Sequence, residues 1–262
     1  MIDFMNEFIS GLVLAVLQGI AEWIPVSSSG HLILFEKILG FEGGLLFIVA
    51  LHFGTLMSVF VYFGKDITDI MQDFFRGKWK TENGRLGVYI IIATIPAVVV
   101  GFFIKDFIEA ISGNLFLLAF GFGITGLLLI ISSLDLNNGK GELTARNSFL
   151  IGCAQVISLF RGISRSGSTI SSGVLLGLDI KKAVRFSFLM SIPVIFGANI
   201  LELGSNKLTP DYIWPTLLSF VIGLIAIHIL YKYMLTSKRN LRWFGLYALV
   251  LALSIGVYLL FF

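Results

Sequence analysis

One cysteine, Cys153, in 262 residues rules out a disulfide framework, and its apolar surroundings give no reading of redox compartment. Charge is scarce as well. Asp, Glu, Lys and Arg make up 13% of the chain against 56% hydrophobic residues, at a mean hydropathy of +0.93. A soluble globule is excluded, and an all-α polytopic membrane protein is expected. No secretory leader is expected either, because Asp3 and Glu7 stand where a basic segment would precede the first apolar run. The net charge of +3 says little; where the charges fall says more.

What is present is a series of apolar runs. Leu45–Phe63, Leu86–Ile104, Leu115–Ser133, Val184–Leu203, Ile213–Leu235 and Trp243–Phe262 each hold about 19–23 residues, enough for a hydrocarbon core of about 30 Å. Two further runs, Phe8–Phe35 and Ser148–Leu176, are longer and broken by polar residues. The connection Gly64–Arg85 mixes Asp66, Asp69, Asp73 and Lys78 with Met71, Phe74, Phe75 and Trp79, the pattern of a helix lying in the interface. Nothing resembles a linker to a soluble domain, so a single membrane domain over residues 1–262 is expected.

The first broken run carries Gln18, Glu22, Pro25, Ser27, Ser28, Ser29, Gly30 and His31. Ionisable groups at membrane depth are costly and mark function. Irregular backbone survives there only under protein or beside a wet cavity. The expectation is a re-entrant hairpin, two half-helices joined by a polar turn; an ordinary kinked spanning helix is the competing reading. The second broken run repeats the first. An offset of 137 maps Gln18 onto Gln155, Ser27 onto Ser164, Ser29 onto Ser166 and Gly30 onto Gly167. Each half, 8–133 and 148–262, is then one hairpin followed by three spans. An odd number of spans per half makes an inverted-topology repeat whose broken helices meet near the bilayer middle.

Orientation follows from the cations. With both hairpins re-entrant, fourteen Lys and Arg between Lys65 and Arg242 fall on one face and Lys37, Lys105 and Lys207 on the other, while Arg161 and Arg165 sit in the second turn. The rich face is expected to be cytoplasmic and both termini outside.

Gln18 and Glu22 share a helix face, as do Ser27 and His31 one turn on. The second turn places Ser164, Arg165, Ser166, Gly167, Ser168 and Thr169 at a helix start, where free N–H groups and the dipole favour an anion. Arg suits phosphate through its paired donors. An acid, a hydroxyl and an imidazole in one hairpin, with a cationic cradle in the other, point to phosphoryl transfer.

Gln18-x3-Glu22, the segment Ile24 to His31, and Gly162-Ile163-Ser164-Arg165-Ser166-Gly167-Ser168-Thr169 resemble the two signatures of the undecaprenyl-diphosphate phosphatase family (UppP, also called BacA). The resemblance runs over nearly the whole chain. It implies a plasma-membrane enzyme that removes the terminal phosphate of a polyprenyl diphosphate and recycles the lipid carrier of cell-wall polymers. It also implies a link to bacitracin resistance and a site opening to the outer face. Glu22, Ser27, His31 and Arg165 are its implied catalytic residues. Ser28, Ser29, Ser164, Ser166, Gly167 and Thr169 are expected to bind substrate. Gln18 and Glu22 are expected to hold a divalent cation, Mg first and Ca second. Arg161 departs from the family, which usually has Pro there; a second phosphate ligand and a side chain reaching the cytoplasmic face are equally open.

Attack by Ser27 with His31 as base, by His31 itself, or by water all remain open at this point, with a preference for Ser27 at its half-helix start. A transporter or flippase of the lipid carrier is the rival class. Partners are the polyprenyl diphosphate and membrane lipids, not nucleic acid, with a homodimer left open. The remaining polar residues have plainer roles: an interhelical hydrogen bond for His52, with a place lining the site as its second reading, structural packing for His228, an interfacial position for Asn199 and Glu202, kinks at Pro96 and Pro193, and close helix packing at Gly121, Gly123 and Gly126.

Overall fold

The computed structural model describes residues 2–41, 43–134, 136, 139–203 and 210–261. Among them the chain is helical throughout, with no strand. The first hairpin is α1 (Ile2–Ala21) and α2 (Ser28–Leu39), joined by an irregular turn. Then come α3 (Gly44–Tyr62), α4 (Gly64–Phe75), α5 (Glu82–Ile111) and α6 (Leu115–Ser133). The second hairpin is α7 (Ala145–Val156) and α8 (Arg165–Leu175). It is followed by α9 (Ile180–Leu203), α10 (Ile213–Ile229), whose last turn winds into a π-helix, and α11 (Leu241–Phe261).

Among the described residues six helices are long and apolar enough to cross a membrane, and they coincide with the six uninterrupted apolar runs. The chain is therefore a multi-pass helical membrane protein. Large apolar side chains cover its outside; Phe102 and Phe103 are both 79% exposed, as lipid-facing residues should be. The expected interfacial segment is the helix α4, which lays Ile70 against α5 at Gly87. Pro96 and Pro193 lie inside α5 and α9 without ending them.

Apolar burial does little to join helices in lipid, so small residues and hydrogen bonds hold the bundle. At the α3–α10 seam a Cβ on Gly54 would lie 2.1 Å from Ser219 Oγ, Ser58 donates to the Phe220 carbonyl at 2.8 Å, and Ser219 donates to the Leu51 carbonyl at 3.1 Å. Gly126 meets Gly245 across α6–α11, and Gly152 meets Ala93 across α5–α7. Gly121 lies against the second turn at Arg161 and Gly162, but Gly123 has nothing within 4 Å, so the expectation of close packing holds for two of these three glycines. Trp23, fully buried, packs edge-on to Phe188 of α9 with ring centroids 5.1 Å apart. Its place is in the core that joins the first hairpin to the spans. The side chain of Glu202 lies outside the described residues.

Candidate active site

Each hairpin turns into its second helix through a serine cap. Ser27 accepts from Gly30 N–H at 3.3 Å, and Ser164, its counterpart at the offset of 137, accepts from Gly167 N–H at 3.0 Å. The neighbouring hydroxyls repeat the match: Ser29 lies 3.5 Å from Ser27 and Ser166 lies 3.2 Å from Ser164. Ser caps satisfy one of the free N–H groups of a helix start and leave others pointing outward.

The two turns touch. Thr125 of α6 clamps the second, donating to the Gly162 carbonyl at 3.0 Å and accepting from Ser164 N–H at 2.9 Å. Gly162 has φ +88°, so the tight turn there needs a residue without a Cβ. A Cβ on Gly167 would come within 3.2 Å of the Pro25 carbonyl, so the two turns approach closely at that position.

This closure brings Glu22 and Arg165, 143 residues apart, into a buried ion pair. Arg165 binds Glu22 Oε1 through one terminal nitrogen; the other is buried without a partner. Glu22 Oε2 accepts from Gln18 Nε2 at 3.0 Å and from Ser28 Oγ at 2.6 Å. Gln18 Oε1 is buried and unpartnered. A carboxylate with a neighbouring unsatisfied amide oxygen fits a hard cation that takes its other ligands from phosphate and water. No group of three His, Cys, Asp or Glu arranged for a metal ion occurs among the described residues.

Ser27 alone among the described non-glycine residues has a positive φ, 69° with ψ 90°. Such backbone costs of order 1–3 kcal/mol and tends to collect at active sites. His31 Nδ1 lies 2.7 Å from the Ser27 carbonyl, which only accepts, so Nδ1 carries the proton. Nε2 in neutral His31 then accepts from the Tyr247 hydroxyl at 2.8 Å. Neither ring nitrogen bonds Ser27 Oγ, although the spacing of the two residues permits a direct pair.

Ser29 opens into a cavity of about 950 Å³ that also reaches Glu36, Lys37, Lys105, Glu109 and Arg161. His31 and Tyr247 close a second, mostly apolar cavity of about 640 Å³ lined by Leu17, Ile24, Trp243 and Phe244. Thr169 does not face either space. Its hydroxyl braces α8, 2.8 Å from the Arg165 carbonyl and 2.7 Å from Ser187 Oγ of α9.

One residue beside the site, Tyr247, is not singled out by the sequence, and another, His52, is given there its lesser reading. Tyr247 gives no local signal in an aromatic-rich span. His52 bonds the Ile48 carbonyl of its own helix through Nδ1 at 2.8 Å, and its Nε2 faces Glu22 Oε2 at 3.5 Å, nearer the site-lining reading than the interhelical bond. The signal that could have found it was an ionisable group inside a spanning run. His228 packs between Tyr62 and Tyr233, as a structural residue would.

The family model described as "Bacitracin resistance protein BacA" matches residues 11–254. The chain is 41% identical over 259 residues to the undecaprenyl-diphosphatase of Christiangramia forsetii, covering 95% of this chain and 97% of that one. It is 34% identical to that of Methanococcus vannielii over 95% and 99% of the two chains. With that of Korarchaeum cryptofilum it shares 36% identity over 95% and 98%. The chain belongs to the bacitracin resistance protein BacA family.

Proposed function

We infer that this protein is an integral membrane undecaprenyl-diphosphate phosphatase, which hydrolyses the lipid diphosphate to the monophosphate and inorganic phosphate and so recycles the carrier for cell-envelope polymers. The observation that carries this reading is the Glu22–Arg165 pair held between two capped helix starts. Both the pair and the helix starts suit a diphosphate: the spare Arg165 nitrogen and the outward N–H groups neutralise charge on the terminal phosphate. The names of the relatives agree with it.

Glu22 and Gln18 would hold a divalent cation, Mg by preference, which when bound draws electron density from phosphate oxygens. Ser27 is the nucleophile. Its Oγ bonds the terminal phosphorus, the bond to the bridging oxygen breaks, the lipid monophosphate leaves, and water then cleaves the phosphoserine. Because His31 does not touch Ser27 Oγ, it serves as base through an intervening water. Nε2 takes the proton and Tyr247 turns its hydroxyl to accept from it.

The two halves, 8–133 and 148–262, form one membrane domain with re-entrant hairpins in an inverted repeat. Helix pairing supports this: α1 packs on α10 as α7 packs on α5, and α3 on α10 as α9 on α5, which are the same pairs with the halves exchanged. The site opens to the outer face of the plasma membrane. In support, the cavity at Ser29 also carries Lys37 and Lys105, residues of the face poor in Lys and Arg.

The test is phosphate release from undecaprenyl diphosphate by purified protein in detergent, with and without a divalent cation. Release that stops on chelation and resumes with Mg is expected. No release, with lipid movement in reconstituted vesicles, would replace the phosphatase by the carrier transporter.

A further inference from the structure

We propose that His52 is a third protein ligand, through Nε2, of the cation site at Gln18 and Glu22; this rests on the reading that those two residues hold a cation. His52 donates its Nδ1 proton to the Ile48 carbonyl at 2.8 Å. With Nδ1 donating to that carbonyl, the neutral tautomer presents its Nε2 lone pair toward Glu22 Oε2, 3.5 Å away. Metal-binding histidines are held in this way, with the far ring N–H on a carbonyl that fixes tautomer and ring orientation.

Gln18 completes the set. Its amide is fully buried, with Nε2 on Glu22 Oε2 at 3.0 Å and Oε1 without a partner. Turning the amide over brings Oε1 to the same carboxylate oxygen, which is favourable only with a positive charge between them. Ligand atoms of an octahedral site with bonds of about 2.0–2.1 Å lie about 2.9 Å apart along an edge. The separations of 3.0 and 3.5 Å around Glu22 Oε2 are near that edge before any metal draws them in. Arg165 stays on Oε1, leaving the Oε2 side to the metal. His52 is 21% exposed at its side chain and Glu22 only 4%, so the imidazole is the more accessible of the two. Mn(II) shares the octahedral oxygen-rich preference of Mg and serves as its paramagnetic stand-in.

The experiment is electron spin echo envelope modulation on tag-free protein in detergent loaded with Mn(II). The chain has three histidines, His31, His52 and His228, so few sources of an imidazole signal exist. Directly bound ¹⁴N should modulate the echo of the wild type. Incorporation of [¹⁵N]histidine should convert that modulation to the ¹⁵N pattern without any mutation. His52→Gln, which offers an oxygen in place of the nitrogen, should keep Mn(II) and lose the modulation, whereas His31→Gln and His228→Gln should retain it. Mn(II) that is lost in Glu22→Gln but shows no nitrogen in the wild type overturns the role of His52 alone. So does nitrogen modulation that survives in His52→Gln. Mn(II) binding that is absent, or indifferent to Glu22→Gln, overturns the cation site itself and His52 with it.

Discussion

Tyr247 Oη lies 2.8 Å from His31 Nε2, joining α11 to the first hairpin across 216 residues, and the two rings stack with centroids 5.7 Å apart. Nδ1 donates to the Ser27 carbonyl, so the basic nitrogen of neutral His31 is the one that faces Tyr247. Tyr247→Phe keeps the stacking and removes the hydroxyl. A loss of about tenfold in kcat is expected, the value of one hydrogen bond of about 1.4 kcal/mol. The pH dependence of kcat should shift, with KM little changed. An unaltered pH profile would leave Tyr247 as packing only.

Arg165 and Arg161 make a second comparison. Arg165 reaches Glu22 and keeps a buried unpartnered nitrogen, whereas Arg161 lies in the wall of the larger cavity with Glu36 and Glu109. Arg165→Lys keeps the charge but not the forked donors, and should lower turnover by about 100-fold, as loss of one aligned donor to developing charge does. Arg161→Lys should cost much less. Phosphate release by folded protein measures both, and greater sensitivity at Arg161 would move the phosphate cradle to the cavity wall.

The nucleophile is accessible through the covalent intermediate. Ser27→Ala should abolish phosphate release and any phosphoenzyme trapped by rapid quenching. His31→Ala should keep a trace of activity that rises with pH, as loss of a base does. An acid-labile phosphoenzyme that persists in Ser27→Ala and vanishes in His31→Ala would make His31 the nucleophile instead.

Topology is testable by labelling. The native Cys153 is exposed and is first replaced by Ser. Gly43 has no room for a side chain, with Phe41 and Phe47 atoms 2.4 and 2.7 Å from a Cβ there, so Lys37 is the better outer position. In intact cells Lys37→Cys should react with an impermeant thiol reagent and Glu142→Cys should not. The reverse pattern would invert the orientation.

The spans and the two broken runs are legible in the amino-acid order alone, as are the polar groups that interrupt it. Lipid rejects polar groups so strongly that Glu22, His31 and Arg165 stand out against 56% hydrophobic residues, and spanning helices need a fixed length of apolar chain. Helical spacing likewise placed Gln18 beside Glu22, because residues four apart share a face. Partners from distant helices were left to the tertiary structure. Tyr247 reaches His31 and His52 reaches Glu22 only because α11 and α3 pack against the hairpins, and no periodicity in one helix encodes what lies across it. Ser27 and His31 show the same limit from the other side. Their spacing permitted a direct pair, but a positive φ at Ser27 and the pull of its own carbonyl on Nδ1 turned the imidazole away, a choice that backbone geometry makes only once the turn is folded.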